Sequence, residues 1–263
     1  MKPVRIQPEF VERVWGSRTL EPWFPNRPEK IGEVWFSARN HPLLVKFLFT
    51  SEKLSVQVHP DDGYAAANHN GSLGKTEMWH ILDAQPGSTI ALGFAREITR
   101  AQLREASESG AIVDLLRSIA VHPGEMYLIP AGTVHAIGVG IVLCEIQQNS
   151  DVTYRLYDYD RKPARELHLD HAGNVTRLSP YPAVSLDSVS CPHFVTEKLE
   201  LASLRQHAPE ADELLIVLQG SGTLAGEPFA PGQVWYVPKG TPPFPINPDK
   251  TARLLRTCPA SGS

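Results

Sequence analysis

Cysteine is scarce in this chain: Cys144, Cys191 and Cys258 are the only three in 263 residues, far apart and without a CxxC pair. That excludes a disulfide framework and does not read as a thiolate zinc site. Cys144, inside the apolar run GIVLCEI, reads as a small buried hydrophobe. No apolar run reaches the length of a membrane span, so no membrane partner is expected. The opening stretch MKPVRIQPEFVERVWG has Pro3 and alternating charges where a secretory signal would have an apolar block, which makes the cytoplasm the expected location. Lysine and arginine form no block and the formal charge is −4, so nothing calls for nucleic acid. An anionic substrate would need a local cationic pocket, because the overall field offers no help.

What remains is an ordinary globular composition, 21% charged and 42% hydrophobic, long enough for one large core or two modest ones. Short strand-like runs between turn signals dominate: 31–38, 43–49, 54–59, 76–82, 88–94, 126–130 and 140–148, then FVTEKLEL, ELLIVLQG, GTLAG, QVWYVP and ARLLRTC within 194–257. The fold class is therefore all-β, a sandwich or barrel. One helical excursion interrupts it over 99–119. Thr99 and Gln102 form a capping box with Leu103 on the following face, and Ile112, Leu115, Leu116 and Ile119 are spaced for a further amphipathic turn or two. Asp61 and Asp62 cap a short helical turn in DDGYAAANH. A proline-rich stretch, RLSPYPAV, divides the chain into a domain over 1–178 and a second over 179–263.

The two parts share a pattern. Gly124-EMYLI-Pro130-Ala-Gly132-Thr-Val-His135 is matched by Gly232-QVWYV-Pro238-Lys-Gly240-Thr-Pro-Pro, with Pro243 standing where the first copy has its histidine. Related β-units are expected, the first with a metal and the second without. The candidate ligands come from three segments, QVHPDD, GKTEMWH and the first Gly-x5-Pro-x-Gly frame. Gln57 and His59 are two apart, as are Lys75 and Glu77, so each pair shares a face of an extended strand. Two imidazoles, a carboxylate and an amide oxygen hold a divalent ion and leave a position for substrate.

That frame, ending in its histidine, resembles the second motif of the cupin superfamily, and His59 with Glu77 approximates the first. QVHPDD, GKTE, PAGTVHAIG and QQNSDVTYRLYDYDR with ELHLDHA behind it resemble the short bacterial type I mannose-6-phosphate isomerases, supported by VWG, IGEVW and PLLVKFL. The resemblance spans nearly the whole chain and is densest from 42 to 173. It implies two cupin-type β-barrels (jelly rolls), one zinc ion (Zn2+) per chain held by Gln57, His59, Glu77 and His135, and a sugar-phosphate substrate. It also implies a catalytic arginine at Arg155 and active-site acids at Asp151 and Glu145. The chain departs from longer relatives in lacking their large helical domain.

Each residue has a plainer reading as well. His59 before Pro60 suits a turn, Glu77 could pair with Lys75, and Gln57 could orient His59 from behind. Asp151 and Arg155 could form a surface ion pair worth little. Glu145 could be a structural acid bonded to tyrosine. His69, His80, His122, His168 and His171 have no spacing that demands metal.

The implied reaction interconverts mannose 6-phosphate and fructose 6-phosphate through an enediol. It needs stabilised oxygens and a base. Arg155 suits the first task because guanidinium stays charged and bonds two oxygens. Lys75 could hold a sugar oxygen or reprotonate one if the neighbouring cation lowers its pKa. Asp151 and Glu145 are the candidate bases. Arg155, Lys75, Arg161 and Arg165 are eligible for the phosphate. Two other readings stay open: an iron(II) cupin dioxygenase, which uses the same ligand types, and a sugar-phosphate-binding module without turnover. The assembly is expected to be a monomer or homodimer.

Overall fold

In this computed structural model residues 1–260 are described, and they form four sheets stacked as layers. Sheet I has the order Tyr154–Tyr157, Val56–Val58, His135–Ile137, Thr89–Phe94, Leu116–Ala120. Sheet II runs Glu9–Ser17, Ile31–Ser37, Leu43–Phe49, Ile141–Gln148, Glu77–Ala84, Met126–Ile129. Sheet III comprises Val4–Arg5, Val234–Val237, Glu213–Gln219, Ala252–Pro259, Phe194–Leu201 and Val189–Ser190, and sheet IV Arg205–His207, Phe244–Pro248, Gly222–Leu224 and Glu227–Phe229. All named pairings are antiparallel.

The packing explains why several strands read as continuous apolar runs. Sheet II is covered on both faces, as is sheet III. Trp79, Ile81 and Leu143 of sheet II meet Ile90, Leu92 and Ile137 of sheet I. On the opposite face Val45, Phe47, Phe49, Met78 and Cys144 meet Leu214, Ile216 and Leu255 of sheet III. Leu43–Phe49 is consequently buried at every position, and full burial of each such apolar side chain contributes about 1.5–3 kcal/mol. Leu215, Val217 and Leu254 pack on Leu224, Phe244 and Ile246 of sheet IV. The chain thus folds as two sheet pairs set back to back. The N-terminal strand crosses between them, since Val4 and Arg5 pair with Tyr236 and Trp235.

Helices cover the outer face of sheet I. These are α1 (Asp62–Asn68), α2 (Arg100–Ser109), α3 (Ile112–Leu115) and α4 (Leu169–Val175). Asp61 caps α1 by accepting from Tyr64 N, and the Thr99–Gln102 capping box is formed in full. Leu103, Ala106 and Ile112 pack on Val56, Phe94 and Leu156. The helical excursion is shorter than its apolar spacing suggests. It ends at Leu115, and Leu116–Ala120 becomes an edge strand with Ile119 opposite Ile90. Cross-strand pairing over a buried face outweighs a helical period of only two turns. The short α4 carries no signal strong enough to be expected from sequence.

Candidate metal centre

Sheets I and II bring the separated segments together. Val56–Val58 and Glu77–Ala84 lie in facing sheets, and His135 opens the strand opposite Gln57. The turn before His135 depends on Gly132, at φ +82, where a Cβ would come within 2.8 Å of the Val175 carbonyl oxygen. Gly132 N–H also donates to the His59 carbonyl at 2.8 Å, tying the two histidine segments to each other.

His59, Glu77 and His135 have ligand atoms mutually within 4.8 Å, and all three are buried. His59 Nε2 is 3.4 Å from Glu77 Oε2, and His135 Nε2 is 3.5 Å from Oε1. Behind each ring the other nitrogen is occupied: His59 Nδ1 faces the Val152 carbonyl at 3.0 Å and His135 Nδ1 the Thr133 carbonyl at 2.9 Å. Those carbonyls keep the proton on Nδ1 and turn both Nε2 lone pairs toward the carboxylate, the outer arrangement of metal-ligating histidines. Lys75 Nζ makes an ionic contact with Glu77 Oε2 at 3.0 Å, and Glu77 Oε1 has no hydrogen-bond donor. Lys75 balances one charge there, and the two imidazole lone pairs with the donor-free Oε1 leave a donor set that fits a divalent ion. Gln57 Nε2 lies 3.2 Å from His135 Nε2, and a half-turn of the amide exchanges it for the oxygen. The ion pair of Lys75 with Glu77 is therefore real and coexists with the cluster.

Above this floor lies a cavity of about 360 Å³ lined by Gln57, Lys75, Glu145, Asp151 and Arg155, together with Lys46, Arg13 and Arg165. Lys75 Nζ is 3.8 Å from Glu145 and 3.3 Å from His59 Nε2. Lys46 Nζ stands 3.8 Å from Glu145 and 3.9 Å from Asp151. Glu145 accepts from Trp79 Nε1 at 3.0 Å, an indole and not the tyrosine considered from sequence. Asp151 and Arg155 do not pair. Asp151 precedes the strand Tyr154–Tyr157 and reaches Lys46, while Arg155 donates from Nη1 to the Glu166 carbonyl at 2.8 Å. Arg161 is engaged by Asp158 and the Lys53 carbonyl and does not line the cavity.

Burial, then the Glu145 charge, pushes the Glu77 carboxyl up to about 7. Burial lowers both ligand histidines, His135 to about 4, with the Lys75 charge adding to it. Lys75 shifts upward between its two carboxylates. Burial works against its charge, but Glu77 and Glu145 outweigh that and raise it above the ordinary lysine value. The two carboxylates thus favour the ammonium form of Lys75. Lys46 moves the other way, lowered by burial and next by Lys75. Glu145 is held below the usual carboxylate range: burial opposes this, and Lys75 and Lys46 overcome it.

Sequence reading passed over Lys46, Arg13 and Glu33. Lys46 had a visible signal, a lone lysine in the apolar run LLVKFLF whose period places it opposite Val45 and Phe47. Its ammonium lies over the Trp35 ring, 4.4 Å from the centroid. Arg13 pairs with Glu33 at 2.7 Å across the cavity rim, and nothing in EFVERVWG marks that partnership.

No family model matches the chain. It is 35% identical over 304 aligned positions to the mannose-6-phosphate isomerase ManA of Bacillus subtilis (strain 168), covering 93% of this chain and 96% of that protein. A mannose-6-phosphate isomerase of Streptococcus mutans is 39% identical over 199 positions, which cover 70% of this chain and 62% of that one. Among solved structures, the mannose 6-phosphate isomerase from Bacillus subtilis superposes with a TM-score of 0.88 at 29% identity, covering 98% of this chain and 100% of the other.

Proposed function

The chain belongs to the mannose-6-phosphate isomerase family, and we propose that it is an aldose–ketose isomerase interconverting mannose 6-phosphate and fructose 6-phosphate through an enediol in this cavity. The observation that supports this most is local. Two buried lysines, an arginine and two carboxylates line a cavity of about 360 Å³ whose Lys75 and Gln57 touch a single His–Glu–His cluster. Neither a dioxygenase nor a binding module has a use for that surround, and the relatives favour neither.

His59, Glu77 and His135, with Gln57 as a fourth donor, would hold a zinc ion, which supplies Lewis-acid polarisation of the sugar oxygens. The remaining tasks fall to the chain's own side chains. Isomerisation moves the C2 proton to C1, while a hydroxyl proton passes from O2 to O1. Negative charge gathers on both oxygens midway. The Lys75 ammonium and the Arg155 guanidinium stabilise it. Glu145 holds the two lysines in place and stays ionised. Proton exchange with carbon suits Lys46 Nζ and Asp151 Oδ1, 3.9 Å apart at the cavity wall. Burial makes the Lys46 ammonium readier to release its proton.

The phosphate belongs at the outer end. Arg13 and Arg165 line the cavity with side chains 33% and 29% exposed, against 5% for Lys75 and Glu145. A dianion placed between them keeps much of its hydration, with the reacting carbons directed inward. All three cysteines are free, which fits a reducing compartment and a cytoplasmic setting. The test is a coupled assay with mannose 6-phosphate on chelator-stripped and zinc-reloaded protein. Turnover restored by zinc is expected. Activity indifferent to stripping, or oxygen uptake with iron(II), would overturn the reading.

A further inference from the structure

Arg155 lies on an edge strand. Tyr154–Tyr157 pairs with Val56–Val58 on one side and, among the described residues, has no strand on the other. An edge leaves N–H and C=O groups pointing outward in want of partners. At Arg155 both are met by a single residue. Arg155 N–H donates to His168 Nδ1 at 3.0 Å, and His168 N–H donates to the Arg155 carbonyl at 2.8 Å. His168 stands in for a neighbouring strand, with its backbone as the donor and its imidazole as the acceptor that a carbonyl would otherwise be.

This fixes several things at once. The N–H and C=O of one strand residue point to the same side, so Arg155 and its opposite number Gln57 form the non-hydrogen-bonded, closer type of antiparallel pair. The side chain of Arg155 is thereby set beside that of Gln57, at the cavity. The ring of His168 must be neutral with its proton on Nε2, because Nδ1 accepts. Burial, then the Arg155 charge, holds its pKa below the ordinary histidine value, in keeping with that state. The segment grips the side chain too: Arg155 Nη1 donates to the Glu166 carbonyl at 2.8 Å. Residues 166–168 therefore hold Arg155 by both main-chain groups and by the guanidinium. Their own placement comes from α4, where Ala172 N–H donates to the His168 carbonyl at 2.9 Å and Ala172 is fully buried.

We propose that His168 is a positioning residue for the isomerisation, acting through Arg155 by completing the edge of its strand and holding the guanidinium at the cavity wall. The proposal rests on the reading above that Arg155 acts on the sugar oxygens. It also accounts for a histidine that has no spacing for metal and lies outside the ligand cluster. A fixed guanidinium has its orientation settled before substrate arrives, and displacement of such a group by about 1 Å costs on the order of a hundredfold in rate.

The test compares His168→Ala, His168→Asn, Arg155→Ala and the His168→Ala/Arg155→Ala pair in the full chain, with metal content and thermal midpoint measured for each. His168→Ala is expected to lower kcat about 10- to 100-fold, with KM changed less and metal content unchanged. His168→Asn, whose Oδ1 can take the same N–H, is expected to keep most of the turnover. In the Arg155→Ala background, removing His168 should cost nothing further. Wild-type kcat in His168→Ala, an Asn variant as impaired as the Ala variant, or losses that multiply in the pair would each overturn the proposal. Unchanged turnover in Arg155→Ala would instead remove arginine from the mechanism, and this proposal with it.

Discussion

The two sheet pairs use one frame for opposite ends. Glu77 opens its strand opposite Ile129, the residue before Pro130; Glu213 opens its strand opposite Val237, the residue before Pro238. The frame glycines share a left-handed conformation, φ +93 and +82 at Gly124 and Gly132 against +82 and +79 at Gly232 and Gly240. Both glutamates are fully buried. Their surroundings differ. Glu77 faces two imidazole lone pairs and the Lys75 ammonium, and its Oε1 has no donor. Glu213 is bonded by His207 and by the Arg256 guanidinium, which also reaches Glu197 at 3.3 Å. Pro243 replaces the histidine of the frame, and Phe244 sits opposite His207. A carboxylate already saturated by donors has no capacity for an ion, whereas one with a donor-free oxygen between two imidazole lone pairs has a place for it. The backbone frame is therefore indifferent to the chemistry, and the charge on the neighbouring side chains decides it.

Three variants break or sharpen that contrast. The largest effect is expected from His135→Ala, which should lose bound metal and fall to background turnover while circular dichroism shows an intact fold. Retained metal at wild-type stoichiometry would mean that the ion is held elsewhere. Next is Arg256→Met. It leaves a buried carboxylate in the second sheet pair with His207 alone and should cost about 3 kcal/mol in urea unfolding, part of it recovered by adding Glu213→Gln. Activity per folded molecule should not change, and an unaltered unfolding midpoint would deny Arg256 its charge-balancing role.

The smallest concerns the seam between the pairs. His80, buried and facing Lys198 and Arg253, is lowered to about 4, by burial first and then by those cations. Its folded pKa lies below the unfolded value, so the unfolded chain takes up a proton first as pH falls from about 6.5 toward 4, and the fold is penalised over that window. His80→Phe should remove the penalty and gain up to roughly 3 kcal/mol on wild type across it. His59 and His135 shift in the same direction but are common to both proteins. Parallel stability–pH curves would contradict this assignment.

How much was legible beforehand follows from the range of the contacts. Buried strands such as Leu43–Phe49 and Ile141–Gln148 announce themselves by composition, and the Thr99 capping box is written in four consecutive residues. The histidine frame was legible because its glycines and proline lie within a few positions of His135. The grip of His168 on Arg155 is a single side chain taking the place of a strand, and no pattern of types betrays it. Arg13 with Glu33 is joined by strand pairing within sheet II, and Lys46 with Asp151 by a loop folding over that sheet, and neither leaves a local pattern. The helix expected through Ile119 stopped early for a related reason, a partner strand that local periodicity does not reveal.

Glu77, set between two imidazole lone pairs, and not the donor-saturated Glu213, is the carboxylate expected to carry the ion. Anomalous diffraction at the zinc edge from crystals of the zinc-loaded protein tests it most directly. One peak among His59 Nε2, His135 Nε2 and the Glu77 carboxylate is the result predicted. A peak beside Glu213 and His207, or none at the His–Glu–His cluster, would contradict it.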